Sequence, residues 1–511
     1  MAHGEIHERY YISNVFVLQL MTEKDGLTKS AHTLKKGEVG ILQGVFQSFS
    51  FVGPAADVAI LLLGTVYFAG VSTPIAIIIA WLIYGLWMIT PYEFSKYKSN
   101  AGSYYAYSAS STKDGMLGPL ALFSWMGENF SGQSFGILGL AAFLFAISTT
   151  ISGIPYIWVL FAIVIAVYMF IVPYLGIKIS LNYVAITGIL ELVVLVVGAA
   201  IIIIMAGPAN SITPFTIPAG TISAVFFGIV FSIVDFTGLG TVTTVSEEIR
   251  NPRKQIKKAL VISWLLAGLA LIPASYALVI GWGNVGLGGI ANYAGAPDPG
   301  LLVFQHYLGP IGFILLAIFT INSYFSYGVA KTNAVSRIWF SAARDGVIFP
   351  KWIAKLHPKF KTPGNAMSLW LGISFILDII LGIFYGPVNA ALILLTMAGI
   401  YIICVHVIAN TALTLFSFSE LKKSGQSSVL LHFVAPTLAS VLGLVVIFFS
   451  VQLTYSSYVG DPSGINLAFL AAVLISIVWV VVLGPIIALY YRKQKPEILK
   501  KAGVYDSELA E

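Results

Sequence analysis

Long apolar runs alternate with short polar segments along almost the whole chain. The runs fall at about residues 41–68, 72–91, 117–147, 155–174, 180–206, 221–246, 259–283, 309–338, 366–386, 388–416, 429–454 and 465–491. Each is about as long as a bilayer crossing, which takes roughly 20 apolar residues for about 30 Å of hydrocarbon. Lipid offers no partner to a backbone N–H or C=O, so a crossing segment is a helix or part of a closed barrel. The short alternating strands of a barrel are absent. The pattern predicts an all-α integral membrane protein with twelve transmembrane helices.

The polar segments fall into two alternating sets. One set holds Arg9 to Lys36, Lys96 to Lys113, Lys178, Arg250 to Lys258, Arg337 to Lys361, Lys422, Lys423 and Arg492 to Lys501; the other, at about 148–155, 207–220, 284–307, 386–388 and 455–463, has no Lys or Arg. Of 28 basic residues only Lys331 lies inside a run away from its end. Basic residues resist translocation, so both termini are expected in the cytoplasm and the membrane is expected to be the plasma membrane. The chain divides into a cytoplasmic N-terminal segment (1–38), helices 1–5 (39–206), helices 6–10 (207–416), helices 11–12 (417–491) and a cytoplasmic tail (492–511). Residues 1–38 are polar and mixed in charge, so no cleavable secretory signal is expected ahead of the first run. Tyr10 to Met21 is apolar but too short to span, and reads as an interfacial helix or a plug against the body of the protein.

Composition changes the picture little. Apolar residues make up 58% of the chain and charged residues 10%, against about 25% charged in a soluble domain. The net charge of +6 is a topology signal rather than a nucleic-acid footprint. The lone Cys404 rules out an intrachain disulfide, and nothing points to a cofactor or metal. No phosphate-binding glycine loop occurs, so transport would draw on an ion or exchange gradient.

Two runs carry helix-breaking sequence near their middles: Phe51-Val52-Gly53-Pro54-Ala55-Ala56-Asp57 and Asp235-Phe236-Thr237-Gly238-Leu239-Gly240. Singly, such breaks are common in close-packed membrane helices. The two lie five runs apart, an odd offset that reverses direction, so helices 1–5 and 6–10 are expected to form inverted halves with a mid-membrane site at their breaks. A broken helix exposes N–H groups at one end and carbonyls at the other. A zwitterionic amino acid satisfies both, which makes Gly53, Pro54, Ala55, Ala56, Asp57, Asp235, Phe236, Thr237, Gly238, Leu239 and Gly240 the candidate substrate site, with Phe231 and Phe236 as candidate lids.

Three motifs together carry a family resemblance. Asn333, Ser336-Arg337, Ala343-Arg344-Asp345-Gly346, Pro350-Lys351, Lys355, His357-Pro358 and Lys361-Thr362-Pro363 resemble the helix 8–9 signature of the amino acid–polyamine–organocation permeases. Thr237-Gly238 with Glu247-Glu248-Ile249-Arg250-Asn251-Pro252-Arg253 is similar to their helix 6 motif. Tyr92-Glu93 with Ala101-Gly102-Ser103-Tyr104-Tyr105-Ala106-Tyr107 is similar to their loop after helix 2. The resemblance covers about 40–490 and implies a leucine-transporter-type 5+5 inverted repeat, with broken helices 1 and 6, carrying amino acids or their amines. Where many members have Gly-Ser-Gly, this chain has Gly53-Pro54-Ala55; where many carry an aromatic and an acid after Gly238, it has Leu239 and Gly240. The first leaves a substrate carboxylate fewer backbone donors, because Pro54 has no N–H, and the second argues against a strongly cationic substrate and for a neutral, bulky one.

Of the ionisable residues inside runs, Glu128, Asp378 and His406 are weighed as packing residues, and Asp57 and Asp235 as either ligands or helix-end caps. Glu191 occupies a helix 5 position where some members carry a lysine acting in place of sodium. Helical rise puts Glu191 roughly 16 Å from the cytoplasmic end of its helix and Lys331 roughly 9 Å from that of its own. Lys331 is weighed among snorkelling to the surface, pairing with Glu191 as a proton-coupling element, and pairing with another partner. Glu247, Glu248, Arg250, Arg337, Arg344 and Asp345 are weighed between solvated loops and an inner gate. The expectation is a secondary transporter of an amino acid, working by alternating access in a lipid bilayer and driven by protons, with its oligomeric state open. An amine or polyamine exchanger is the alternative. A channel would need rings of pore-lining charge, and an intramembrane enzyme would need convergent catalytic groups that His406 and Cys404 do not supply.

Overall fold

The structure, a computed structural model, describes residues 33–147, 153–154, 156–296, 298–423 and 425–509. The apolar stretch Tyr10 to Met21 lies outside the described residues. Among these residues the chain is helical, with a single bridge of paired backbone between Val39 and Ile249.

The first half comprises α1 (Ile41–Val52), α2 (Leu62–Ala69), α3 (Thr73–Phe94), α4 (Tyr104–Ser110), α5 (Leu117–Ser131), α6 (Ser134–Ile147), α7 (Ile157–Tyr174) and α8 (Ile177–Ala206). The second half comprises α9 (Ile222–Val234), α10 (Pro252–Trp282), α11 (Pro299–Asp345) and α12 (Gly364–Phe416), followed by α13 (Ala435–Gly460), α14 (Gly464–Val478), α15 (Gly484–Gln494) and α16 (Pro496–Lys501). Eight helical runs among the described residues are long and apolar enough to cross a membrane. That number is below twelve because some expected crossings are broken into shorter pieces and others are fused. Gly309 (φ 65°) and Gly386 (φ 77°) each turn the chain inside α11 and α12. Both turns fall at boundaries the sequence pattern marks, and Pro310 and Pro387 follow them where a missing N–H costs nothing.

Polar residues point inward and apolar ones outward, the reverse of a soluble protein. Ile186, Ile204 and Phe384 are well exposed on helix surfaces, whereas Asp57, Glu191, Lys331 and Arg337 have no exposed surface. Such a surface suits lipid, and the chain is a multi-pass membrane protein. Helices approach closely where glycine leaves room. Trp81 of α3 and Trp264 of α10 stack at 4.1 Å between ring centroids, over Gly268 and Gly85 respectively. Each indole N–H donates to the other's carbonyl oxygen, at 2.9 and 3.0 Å, which satisfies both buried donors.

Candidate functional site

Gly53 ends α1 in the left-handed region (φ 76°, ψ 50°), and Pro54 then opens a short turn, Pro54–Ala56. A wider π-helical turn, Asp57–Leu61, leads into α2. After α9 the chain turns through Gly238 (φ 106°) and continues as a 3₁₀ helix, Thr241–Glu248. Both interruptions thus fall where the sequence places them. The two broken helices pack side by side: Thr65 Oγ1 and Ser232 Oγ lie 2.9 Å apart, and Phe231 covers Gly64.

The protein stoppers part of these breaks with its own side chains. The Ala55 N–H donates to Glu191 Oε1 (2.7 Å), which also accepts from Ser323 Oγ (2.6 Å). The Gly238 N–H donates to Tyr84 Oη (3.2 Å), and the Val242 N–H to Ser48 Oγ (3.0 Å). One donor expected to hold a ligand carboxylate therefore already holds a protein carboxylate. Asp57 and Asp235 stand at the C-cap positions of the Pro54–Ala56 turn and of α9, yet both Asp57 carboxyl oxygens and Oδ2 of Asp235 are buried without a hydrogen-bond partner.

A narrow cavity lies against the second break. Its walls are Phe51 of α1, Tyr84 of α3, Tyr104 of α4, Trp125 and Glu128 of α5, the segment around Thr237 and Gly238, and His406 of α12. It holds little more than one water molecule. Phe51 accounts for the tightness, since its ring sits where a Cβ on Gly238 would be. Of the expected site residues, Thr237, Gly238 and Gly240 line this cavity. Gly53 to Asp57 form the neighbouring break. Phe231 stacks on Phe68 at 5.4 Å, and Phe236 is buried with its ring 6.5 Å from that of Tyr84. Neither lines the cavity; Phe51, which was not among the candidate site residues, does.

Lys331 corrects a second expectation. It neither snorkels nor pairs with Glu191. Its ammonium is fully buried and forms an ion pair with Glu128, in the space left by Gly132 between α5 and α6. Glu128 also accepts from Asn129 Nδ2 at 3.0 Å, and Asn129 Oδ1 accepts from Trp339 Nε1 at 3.0 Å. The two charges lie at different depths: Ser323, which meets Glu191, stands eight residues before Lys331 on α11, about 12 Å along the axis. Asp378 Oδ1 accepts from Ser134 Oγ at 2.6 Å, while neither ring nitrogen of His406 has a partner. Among the described residues no group of three or more His, Cys, Asp or Glu side chains is arranged to hold a metal ion.

The charges that follow the second break and those at the end of α11 are gathered rather than solvated. Arg337 meets Glu248 through two contacts, at 2.6 and 3.2 Å, and Arg344 meets Glu247 at 2.9 and 3.0 Å. These pairs tie the end of the broken helix at Thr241–Glu248 to the end of α11. Burial pushes the Glu248 carboxyl up, and the Arg337 guanidinium pulls it back. Arg250 donates to Gly37 O at 2.7 Å instead. The tail crosses the same face. Lys98 Nζ donates to Gly503 O (2.6 Å), Asp345 Oδ2 accepts from both Gly503 N and Tyr105 Oη (2.8 Å each), and the Arg344 guanidinium stacks 3.7 Å from the Tyr505 ring centre.

A family model described as amino acid permease matches residues 46–500. A branched-chain amino acid permease, BcaP, from Bacillus subtilis is 30% identical over 196 residues, which is 37% of this chain and 39% of that protein. A low-affinity putrescine importer, PlaP, from Escherichia coli is 26% identical over 167 residues, 32% of this chain and 35% of that protein. The matches span little more than a third of those relatives, which are permeases and importers rather than enzymes. Among solved structures, MhsT in complex with L-phenylalanine superposes with a TM-score of 0.55 at 15% identity, over 82% of this chain and 99% of that one. A manganese transporter of Eremococcus coleocola gives 0.58 at 13% identity, over 93% and 99%. These likenesses show the fold.

Proposed function

This chain belongs to the amino acid permease family, and from that premise we propose that it is a secondary active transporter of a neutral amino acid across the plasma membrane. It crosses the bilayer twelve times as a 5+5 inverted repeat with two added helices, both termini in the cytoplasm. The count treats the pieces of each broken helix as one crossing and divides α11 and α12 at Gly309 and Gly386. The observation that carries the reading is the meeting of two broken helices at a buried cavity next to backbone groups satisfied only by side chains that can move. Opening towards the cytoplasm requires parting the Arg337–Glu248 and Arg344–Glu247 pairs.

Glu191 is the proposed proton carrier. Its carboxylate holds the Ala55 N–H, and a charge-assisted hydrogen bond is roughly twice as strong as a neutral one. Protonation would weaken that hold and release the first break for the substrate carboxylate. Lys331 and Glu128 instead brace α5 against α11. Amino acid accumulation in proteoliposomes, with and without an imposed proton gradient, tests the proposal. Equal uptake under both conditions rejects proton coupling, and no uptake of any amino acid rejects the substrate class.

Amine or polyamine exchange remains the second reading. The unpartnered Asp57 and Asp235 carboxyl groups beside the breaks favour it, as does the likeness to an importer named for putrescine. Putrescine competing with labelled amino acid would select it.

A further inference from the structure

The polar groups around the cavity fall into two kinds. Most are already engaged: Glu128 with Lys331, Asn129 with Glu128 and Trp339, Thr241 Oγ1 with Gly238 O, and Tyr84 Oη with Gly238 N. Three are not. Both ring nitrogens of His406, the Tyr104 hydroxyl and the Thr237 hydroxyl are buried against this space without a partner. Buried polar groups are rarely left so, because each loses its hydrogen bonds to water and gains nothing in return.

These groups sit among aromatic rings. The His406 imidazole stacks on Trp87 at 4.7 Å and meets the edges of Tyr84 and Tyr104 at 5.4 and 5.3 Å. Tyr104 lies 5.2 Å from Trp125, and Phe51 closes the remaining side. Flat walls favour a flat occupant, since aromatic pairs gain from edge and offset contacts beyond their buried area. A neutral imidazole offers one donor and one acceptor, and a phenol hydroxyl offers both.

We propose that this aromatic box is the side-chain subsite of the transporter, and that its substrate carries a planar ring bearing a hydrogen-bonding group: a phenol, an indole or an imidazole. The inference rests on amino acid transport as proposed above. The Phe51 ring turns away from Gly238 to admit the side chain, and a ring N–H or O–H of the substrate meets His406, with Tyr104 and Thr237 supplying the complementary partners. A branched aliphatic side chain fills the same space but leaves these groups unpaired. A site built to hydrogen-bond its ligand discriminates strongly against an analogue lacking that group.

The test is competition by L-tyrosine, L-tryptophan, L-histidine, L-phenylalanine and L-leucine against one labelled amino acid, on the full chain in proteoliposomes. Tyrosine should outcompete phenylalanine, and tryptophan and histidine should outcompete leucine, by at least about ten-fold. His406→Phe should bring those ratios to about one, and Tyr104→Phe should lower them less. If leucine or phenylalanine competes as well as the polar rings, the orphan groups hold water and the inference falls while amino acid transport stands. If no amino acid competes, transport itself is refuted. The wild-type ranking needs no variant, so misfolding of His406→Phe leaves the inference testable.

Discussion

The face that gathers the basic segments and the middle of the membrane treat buried charge in opposite ways. On that face Arg337, Glu248, Arg344 and Glu247 are matched in twos, and the tail adds Lys98, Asp345 and Tyr505 to the same network. At the breaks, Asp57, Asp235 and His406 keep polar atoms without partners. A matched pair is costly to part and so fastens two helices, whereas an unmatched group waits for an occupant. Lys331 and Glu128 show that depth is not the cause, because they lie inside the membrane and are matched. The distinction follows role: Lys331 and Glu128 hold helices together, whereas Asp57, Asp235 and His406, at the breaks and the cavity, keep polar atoms free.

The comparison can be broken most sharply at Gly238. Gly238→Leu places a side chain where the Phe51 ring sits, on backbone that L side chains rarely adopt, so uptake should fall to background while the protein still inserts in the membrane. Normal uptake by this variant would show that the cavity is not the substrate's route.

Next come the matched pairs. Arg337→Met strands a buried carboxylate at Glu248, and should destabilise the detergent-solubilised protein by about 3–5 kcal/mol, read by thermal unfolding. Adding Glu248→Gln should recover part of that loss. Lys331→Met should cost a similar amount and be partly rescued by Glu128→Gln. With Glu191→Gln, which it does not touch, its losses should add to within about 0.5 kcal/mol. Rescue of Lys331→Met by Glu191→Gln would restore the pairing the structure rejects.

The smallest effect concerns pH. Burial lowers Lys98 from 10.5 to about 8 where the tail docks on it. The docked state therefore binds fewer protons than the free one between those values, and docking strengthens as pH rises. Hydrogen-exchange protection of residues 499–507 should increase about ten-fold from pH 7 to pH 9. Lys98→Met should flatten that rise; a fall with pH would contradict the assignment.

Helix positions, both breaks and the alternation of basic segments were legible in the sequence, because each rests on a local property: apolar length, glycine at positive φ, proline without a donor. Even the turns at Gly309 and Gly386 fell at the marked boundaries. Which side chains meet was a different matter. Glu191 meets α11 at Ser323, about 12 Å along that helix from Lys331, whose ammonium is directed to Glu128 on α5, and both the offset and the rotation depend on how all the helices pack. Phe51 entered the cavity, while Phe231 and Phe236 stayed out, for the same reason. Glu191 filling the first break from another helix was likewise beyond local reading. Sequence alone determined where the chain is apolar, where it breaks and where it places its charge, because those follow from the cost of exposing backbone and ions to lipid. Only the tertiary structure decided which buried groups are paired and which are left open, because partnership depends on distances between helices far apart in the chain.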